Sequence, residues 1–102
     1  MSKVTPIKIP YKTRKNLQKR LFEKMSKLNT SREIEKFMAD LLTESELVMV
    51  TRRLQVAKML LQDALYEEIK HELGVGFSTI IAVRKKIESG GGGYINFIQE
   101  LK

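Results

Sequence analysis

The segment Tyr66–Lys86 constrains the fold most, because it predicts two short helices joined at a glycine. Apolar residues recur at helical spacing on both sides of Gly74, which supplies a left-handed turn after the first helix. The second helix begins near Phe77 and ends in three consecutive positive charges, Arg84 to Lys86. A helix, a tight glycine turn and a basic helix are typical of a helix-turn-helix. A generic αα-hairpin has the same turn and spacing and is the alternative.

The helix-turn-helix interpretation divides the side chains of this segment into a buried set and an exposed set. The apolar spacing predicts an inter-helix core made of Ile69, Leu73, Val75, Ile80 and Val83. The outer face of the second helix, with one lysine of the first, is expected to meet DNA. These candidate DNA-binding residues are Lys70, Phe77, Ser78, Thr79, Ile81, Ala82, Lys85 and Lys86.

The outer face of the second helix is apolar for a DNA-binding helix. Ser78 and Thr79 offer hydroxyls to bases or phosphates, and the lysines at the C-terminal end suit phosphate contact. Phe77, Ile81 and Ala82 suit contact with thymine methyl groups. Few of these side chains make two hydrogen bonds to one base, so direct readout is expected to be modest. Packing of Phe77 and Ile81 within a dimer or against the body is the alternative.

The rest of the chain predicts an extended arm and further helices, which gives an all-α fold of about six helices. The arm covers 1–11 and contains two prolines, and the helical domain covers 12–102. Two T-x-x-E capping boxes, Thr30 to Glu33 and Thr43 to Glu46, begin the second and third helices. Asp63 is the expected N-cap of the fourth helix. The predicted helices span 12–28, 30–41, 43–62, 65–73 and 77–88 (the last two forming the helix-turn-helix, 65–88), with a tail helix at 94–101 after a glycine run.

Positive charge is concentrated in the first quarter of the chain. Residues 1–28 hold nine Lys or Arg against one acid, whereas the whole chain has a net charge of +7. Such a patch attracts phosphate backbones, although lysines also keep a small protein soluble.

The first predicted helix is amphipathic, with Leu17, Leu21 and Met25 on one side and lysines on the other. A core-facing stripe is expected, and a membrane-surface helix is the alternative.

The third predicted helix is apolar around much of its circumference. Val48, Met49 and Val56 widen the seam formed by Leu47 and Leu54. A helix with this pattern is buried on more than one side, and 102 residues offer little material to cover it. The sequence therefore predicts a homodimer in which two chains interlock.

Composition argues against several other classes of protein. The chain has no cysteine and a single histidine, His71, which is expected on a helix surface. No metal site, no cofactor and no catalytic residues are therefore predicted, and the protein is not expected to be an enzyme. The sequence contains no apolar run long enough for a membrane span and no signal peptide pattern, so a cytoplasmic location is expected.

The segment from about residue 30 to residue 98 resembles the Trp-repressor superfamily. The matching motifs are LT-x-x-E at the start of the long helix, Arg53 within it, and ELG-x-G-x-x-TI across the turn. The run RRLQVAKMLLQDALYEEI and the later GGGGY resemble more closely the Trp-repressor-like YerC/YecD family. The resemblance implies an intertwined homodimer that binds operator-like double-stranded DNA through two symmetric helix-turn-helix units.

The same resemblance implies that the tryptophan pocket is incomplete, leaving a possible vestigial ligand pocket. Thr43 and Arg53 match the half of the pocket on the long helix. The arginine of the recognition helix corresponds here to Ala82, the following glycine to Val83, and the serine to Lys86. Tryptophan is therefore not expected to act as corepressor. Sequence-specific transcriptional regulation is the leading interpretation, ahead of a non-specific nucleic-acid-binding module or a protein-interaction domain.

Overall fold

A computed structural model describes residues 8–100, and this part of the chain is helical with no β-strand. The first seven residues of the predicted arm lie outside the described residues. The helices are α1 (Tyr11–Met25), α2 (Ser31–Leu41), α3 (Glu44–Leu61), α4 (Tyr66–Leu73), α5 (Phe77–Ser89) and α6 (Gly93–Ile95), followed by a π-helical turn (Asn96–Glu100). The all-α prediction is confirmed. The chain divides into two compact units, one ending at Leu41 and the other beginning at Leu42.

The first unit contains α1 and α2, and neither helix has a buried residue. Thr30 caps α2, since the Glu33 N–H donates to its hydroxyl oxygen at 3.1 Å. The Thr30 hydroxyl also donates to the Glu33 carboxylate at 3.2 Å. The apolar stripe of α1 is uncovered within this unit: Leu17 is exposed, and Leu21 and Met25 are half-buried.

The core of the second unit lies where α3 packs against α4 and α5. Its buried residues are Val56, Ala57, Ile69, Val75, Ile80 and Val83. Four of the five predicted inter-helix core residues are therefore buried, and Leu73 is half-buried against them. Complete burial of an isoleucine or valine side chain contributes roughly 1.5–3 kcal/mol, so this small cluster holds the three helices together.

A complete capping box begins α3. The Glu46 N–H donates to the Thr43 hydroxyl oxygen at 3.1 Å, and the Thr43 N–H donates to the Glu46 carboxylate at 2.8 Å. The hydrogen bond from the Thr43 backbone, followed by the bond involving its side chain, lowers the pKa of Glu46 below its ordinary value. The capping box predicted from T-x-x-E is confirmed here in both halves.

The junction between α3 and α4 differs from the prediction that Asp63 would cap α4. Asp63 adopts a left-handed conformation, with φ of 60°, two residues after the end of α3, and Leu65 occupies the N-cap position instead. Aspartate tolerates this conformation better than most residues, so it suits the turn. The Leu65 N–H donates to the Glu68 carboxylate at 2.9 Å, which satisfies the start of α4 without a side-chain cap from Asp63.

The glycine run ends α5 and redirects the chain. The Gly90 N–H donates to the Lys86 carbonyl oxygen at 2.8 Å, and a Cβ at Gly90 would clash with that same oxygen. Gly92 adopts a left-handed conformation with φ of 85°. The helical tail that follows packs Tyr94 and Ile98 against the core of the second unit.

Candidate nucleic-acid interface

The turn between α4 and α5 sets the geometry of the candidate interface. Gly74 has φ of 64° and ψ of 32°, the left-handed conformation predicted from the sequence. Its N–H donates to the Lys70 carbonyl oxygen at 2.9 Å, which closes the last turn of α4. Gly76 occupies the N-cap position of α5, and its carbonyl oxygen accepts from the N–H groups of Thr79 and Ile80. The reversal is therefore tight, and the buried residues on both helices orient them.

Arg84 connects α5 to α4 through contacts that sequence reasoning missed. Its Nη1 donates to the Tyr66 hydroxyl at 2.9 Å, and its Nε donates to Glu88 Oε1 at 3.0 Å. The Tyr66 hydroxyl, and then Glu88, raise the pKa of Arg84. Although Arg84 begins the basic run, its guanidinium is engaged within the protein. Lys85 and Lys86 are the exposed positive charges that follow it on α5.

Seven of the eight candidate DNA-binding residues are exposed on the second unit, and Thr79 is half-buried. On α5, Phe77 and Ile81 expose 37% and 43% of their surface, which is high for large apolar side chains. Lys70, on α4, places its Nζ 4.5 Å from the centroid of the Phe77 ring. This contact joins a residue of α4 to the first residue of α5. The contacts of these residues with DNA stay a prediction.

Within one chain, the two residues assigned to a vestigial ligand pocket lie far apart. Thr43 caps the start of α3, whereas Arg53 lies ten residues later, roughly 15 Å along the helix. Arg53 lines a cleft of about 320 Å³ between α3 and α5, and Thr43 is not part of its lining. The other lining residues are Ser78, Thr79, Ala82, Val83, Lys86 and Tyr94.

Tyr94 is a feature of this cleft that the helix-turn-helix pattern did not predict. It belongs to the tail, is half-buried, and lines the cleft together with Arg53 and Lys86. A second cleft of about 600 Å³ shares these three residues and adds apolar side chains, among them Leu54 and Phe97. The sequence signal for this residue was an aromatic side chain directly after the glycine run. The sequence alone does not say against which helices that side chain packs.

Neither a metal site nor a membrane-spanning helix is found in the part of the chain that the structure describes. Over 8–100, no group of His, Cys, Asp and Glu side chains is arranged to hold a metal ion. None of the helices described combines the length and the apolar character needed to cross a membrane.

These observations define an all-α protein with a helix-turn-helix whose outer face is exposed, the architecture of a DNA-binding regulator. The family model described as Trp repressor protein matches residues 15–102. The chain therefore belongs to the Trp repressor family, a family of DNA-binding regulators rather than enzymes.

Individual relatives agree with this assignment. The chain is 30% identical over 82 residues to the uncharacterised protein YerC of Bacillus subtilis (strain 168), an alignment that covers 80% of this chain and 79% of YerC. A crystal structure of a candidate Trp repressor from Staphylococcus aureus superposes with a TM-score of 0.78 at 30% identity. That match covers 84% of this chain and 86% of the other. The resemblance to Trp-repressor-like YerC proteins is thereby confirmed.

Proposed function

We propose that this protein is a homodimeric, sequence-specific DNA-binding transcriptional regulator that acts in the cytoplasm without tryptophan as corepressor. The observation that carries the proposal is the outer face of α5. The α4–Gly74–α5 turn buries Ile80 and Val83 and leaves Phe77 and Ile81 exposed. Exposed lysines lie at both ends of this face, with Lys70 beside the Phe77 ring and Lys85 and Lys86 near the helix C-terminus. Apolar and cationic groups so arranged suit a groove bordered by phosphates.

Uncovered apolar surface supports the homodimer. Val48, Met49 and Val50, three consecutive residues of α3, are all exposed. In the first unit, Leu17 and Phe22 are exposed as well. A second copy related by two-fold symmetry would bury the same surfaces on both chains and would space two α5 helices about 34 Å apart, one turn of DNA. Light scattering is expected to give a dimer, and a monomer at micromolar concentration would contradict this part of the proposal.

The chemistry of the cleft beside α5 supports the absence of tryptophan corepression. The family resemblance requires a second arginine on the recognition helix, and Ala82 at that position has no group to bind a carboxylate. Lys86 lines the cleft instead, with Tyr94 beside it. Titration calorimetry is expected to detect no tryptophan binding. A dissociation constant below one millimolar, equivalent to about 4 kcal/mol or more of binding free energy, would overturn this part of the proposal.

The DNA-binding assignment is tested by selecting bound sequences from random double-stranded DNA and footprinting the best site. A protected site with dyad symmetry is expected. Lys85→Ala should weaken binding to it and reduce the salt slope by about 1 for each phosphate that the protein no longer neutralises. Ser78→Ala should weaken binding to the selected site as well. Lys58→Ala, which removes an exposed lysine from α3, is the matched control for charge. If Lys85→Ala and Ser78→Ala both bind normally, the interface is misassigned.

Non-specific nucleic-acid binding is the second candidate, and the exposed lysines of α1 favour it. Lys12, Lys19 and Lys24 are all exposed on this helix. Binding of this kind predicts no preferred site and a steep dependence on salt. Removal of residues 1–10 should lower both affinity and salt dependence if the arm touches phosphates, and an unchanged slope would exclude that role.

A further inference from the structure

We propose that α5 recognises thymine through its 5-methyl group, with Phe77, Ile81 and Ala82 as the side chains that contact it in the major groove. The inference rests on the proposed function and names the base that the interface selects. Thymine carries the only methyl group on the major-groove edges of the four bases. An apolar surface can therefore distinguish thymine from the other bases without any hydrogen bond.

Phe77 and Ile81 present a single apolar surface on α5, and Ala82 borders it, about 100° round the helix from Ile81 on the side of the cleft that Arg53 lines. Phe77 and Ile81 are four residues apart, so they lie on one face of the helix, and Ala82 is the next residue along. Phe77 and Ile81 are partly exposed, at 37% and 43%, while Ile80 between them is completely buried. Burial of Ile80 fixes the rotation of α5 about its axis. The packing of Ile80 in the core therefore keeps the apolar surface of α5 exposed.

Hydrogen-bonding readout by the same helix is restricted. The α5 sequence, FSTIIAVRKKIES, contains no Asn or Gln, and its one arginine, Arg84, binds Tyr66 and Glu88 within the protein. The hydroxyls of Ser78 and Thr79 donate and accept, so they distinguish bases poorly by themselves. The apolar side chains are therefore the main source of base discrimination available on the first two turns of α5.

Charge beside the apolar surface favours DNA as its occupant. The Lys70 ammonium lies 4.5 Å from the centroid of the Phe77 ring, within the range of a cation–π interaction. An apolar groove on a protein partner would have to remove water from this charge, which is unfavourable. Next to DNA the ammonium stays hydrated and close to phosphates. The same contact restrains the exposed ring before DNA arrives.

The test uses the full chain and the DNA site selected from a random double-stranded library. Each thymine of that site is replaced in turn by deoxyuridine, which lacks only the methyl group, and affinity is measured by fluorescence anisotropy. Removal of one buried methyl is expected to weaken binding about fourfold, and removal of the symmetry-related pair about fifteenfold. Deoxyuridine outside the protected half-sites is the DNA control.

Variants connect the methyl effect to the side chains. Ile81→Ala and Phe77→Ala should each bind more weakly and should lose sensitivity to deoxyuridine at one position. Leu65→Ala, which shortens an exposed apolar side chain at the start of α4, should keep full sensitivity. Far-UV circular dichroism confirms that each variant is folded.

Three outcomes would contradict the inference. If wild-type protein binds every deoxyuridine site as tightly as the parent site, thymine methyl recognition is wrong, although sequence-specific binding stands. If sensitivity persists undiminished in both α5 variants, the contacting residues are wrong. If the library yields no preferred sequence, the proposed function fails and this inference fails with it.

Discussion

Gly74 offers a direct test of the turn that positions α5, because one added methyl group probes its backbone conformation alone. Its φ of 64° lies in the left-handed region, and a Cβ built at this position meets nothing within 4 Å. Gly74→Ala therefore adds no steric clash with neighbouring atoms. The left-handed conformation costs an alanine roughly 1–2 kcal/mol, and reduced freedom of the unfolded chain offsets roughly 0.4–1 kcal/mol. We expect the free energy of unfolding to fall by about 1 kcal/mol.

Gly91→Ala is the matched control. A Cβ at Gly91 also meets nothing within 4 Å, but Gly91 is not among the glycines with positive φ. The same methyl group should therefore be neutral there, or stabilise the protein by up to roughly 1 kcal/mol through the unfolded chain. The two variants should consequently differ by about 1–2 kcal/mol, although each adds only one methyl group in open space.

Thermal unfolding followed by far-UV circular dichroism measures the difference. A change of 1 kcal/mol shifts the Tm of a domain this size by roughly 4–8 °C, so Gly74→Ala should melt several degrees below Gly91→Ala. Protein concentration must be matched, since the stability of a dimer depends on it. Gly74→Asn should fall between Gly74→Ala and wild type, because asparagine tolerates the left-handed region better. Equal melting temperatures for the two alanine variants would refute the left-handed turn at Gly74.

Three further predictions concern the core and the start of α3. Ile80→Val should lower the free energy of unfolding by about 0.5–1.5 kcal/mol, whereas Ile81→Val, at the exposed neighbour, should change it far less in urea unfolding. Thr43→Ala should cost about 1 kcal/mol, because it removes the hydroxyl that caps α3, and equal stability to wild type would contradict the capping box. Hydrogen bonds from Thr43 lower the pKa of Glu46, so its contribution to stability is present above the unfolded-state pKa and is lost as pH falls through the folded-state pKa. Urea unfolding at neutral and acidic pH should therefore show that Glu46→Gln loses less stability on acidification than wild type, and an unchanged acid sensitivity would contradict this.

Local signals predicted much of the fold. The capping box at Thr43, the left-handed turn at Gly74 and the core positions Ile69 and Ile80 all depend on residues within about one or two helical turns of each other. Hydrogen bonds at a helix end, the conformational freedom of glycine and the spacing of apolar residues are properties of a short segment. Such features can be predicted without knowing which helices meet. Asp63 was the local exception, because it adopts the left-handed conformation after α3 and leaves the N-cap position of α4 to Leu65.

The candidate site shows where this reasoning stops. The sequence predicted that Lys70 and Phe77 would lie near DNA, but it did not predict that the ammonium of one lies over the ring of the other. It also gave Arg84 only as the first of three consecutive positive charges, whereas the folded chain engages its guanidinium with Tyr66. Eighteen residues separate that pair along the chain. No periodicity relates residues so far apart on two different helices.

By itself, the sequence determined the helices, the turn at Gly74, the apolar core between α4 and α5, and the membership in a family of DNA-binding regulators. Only the tertiary structure decided that the Arg84 guanidinium binds Tyr66, that the Lys70 ammonium lies over the Phe77 ring, and that Tyr94 of the tail reaches the cleft beside Arg53. The physical reason is the range of the interactions. Backbone hydrogen bonds and turn conformations are set by neighbours in the chain, whereas exposure and side-chain pairing depend on how separate helices pack.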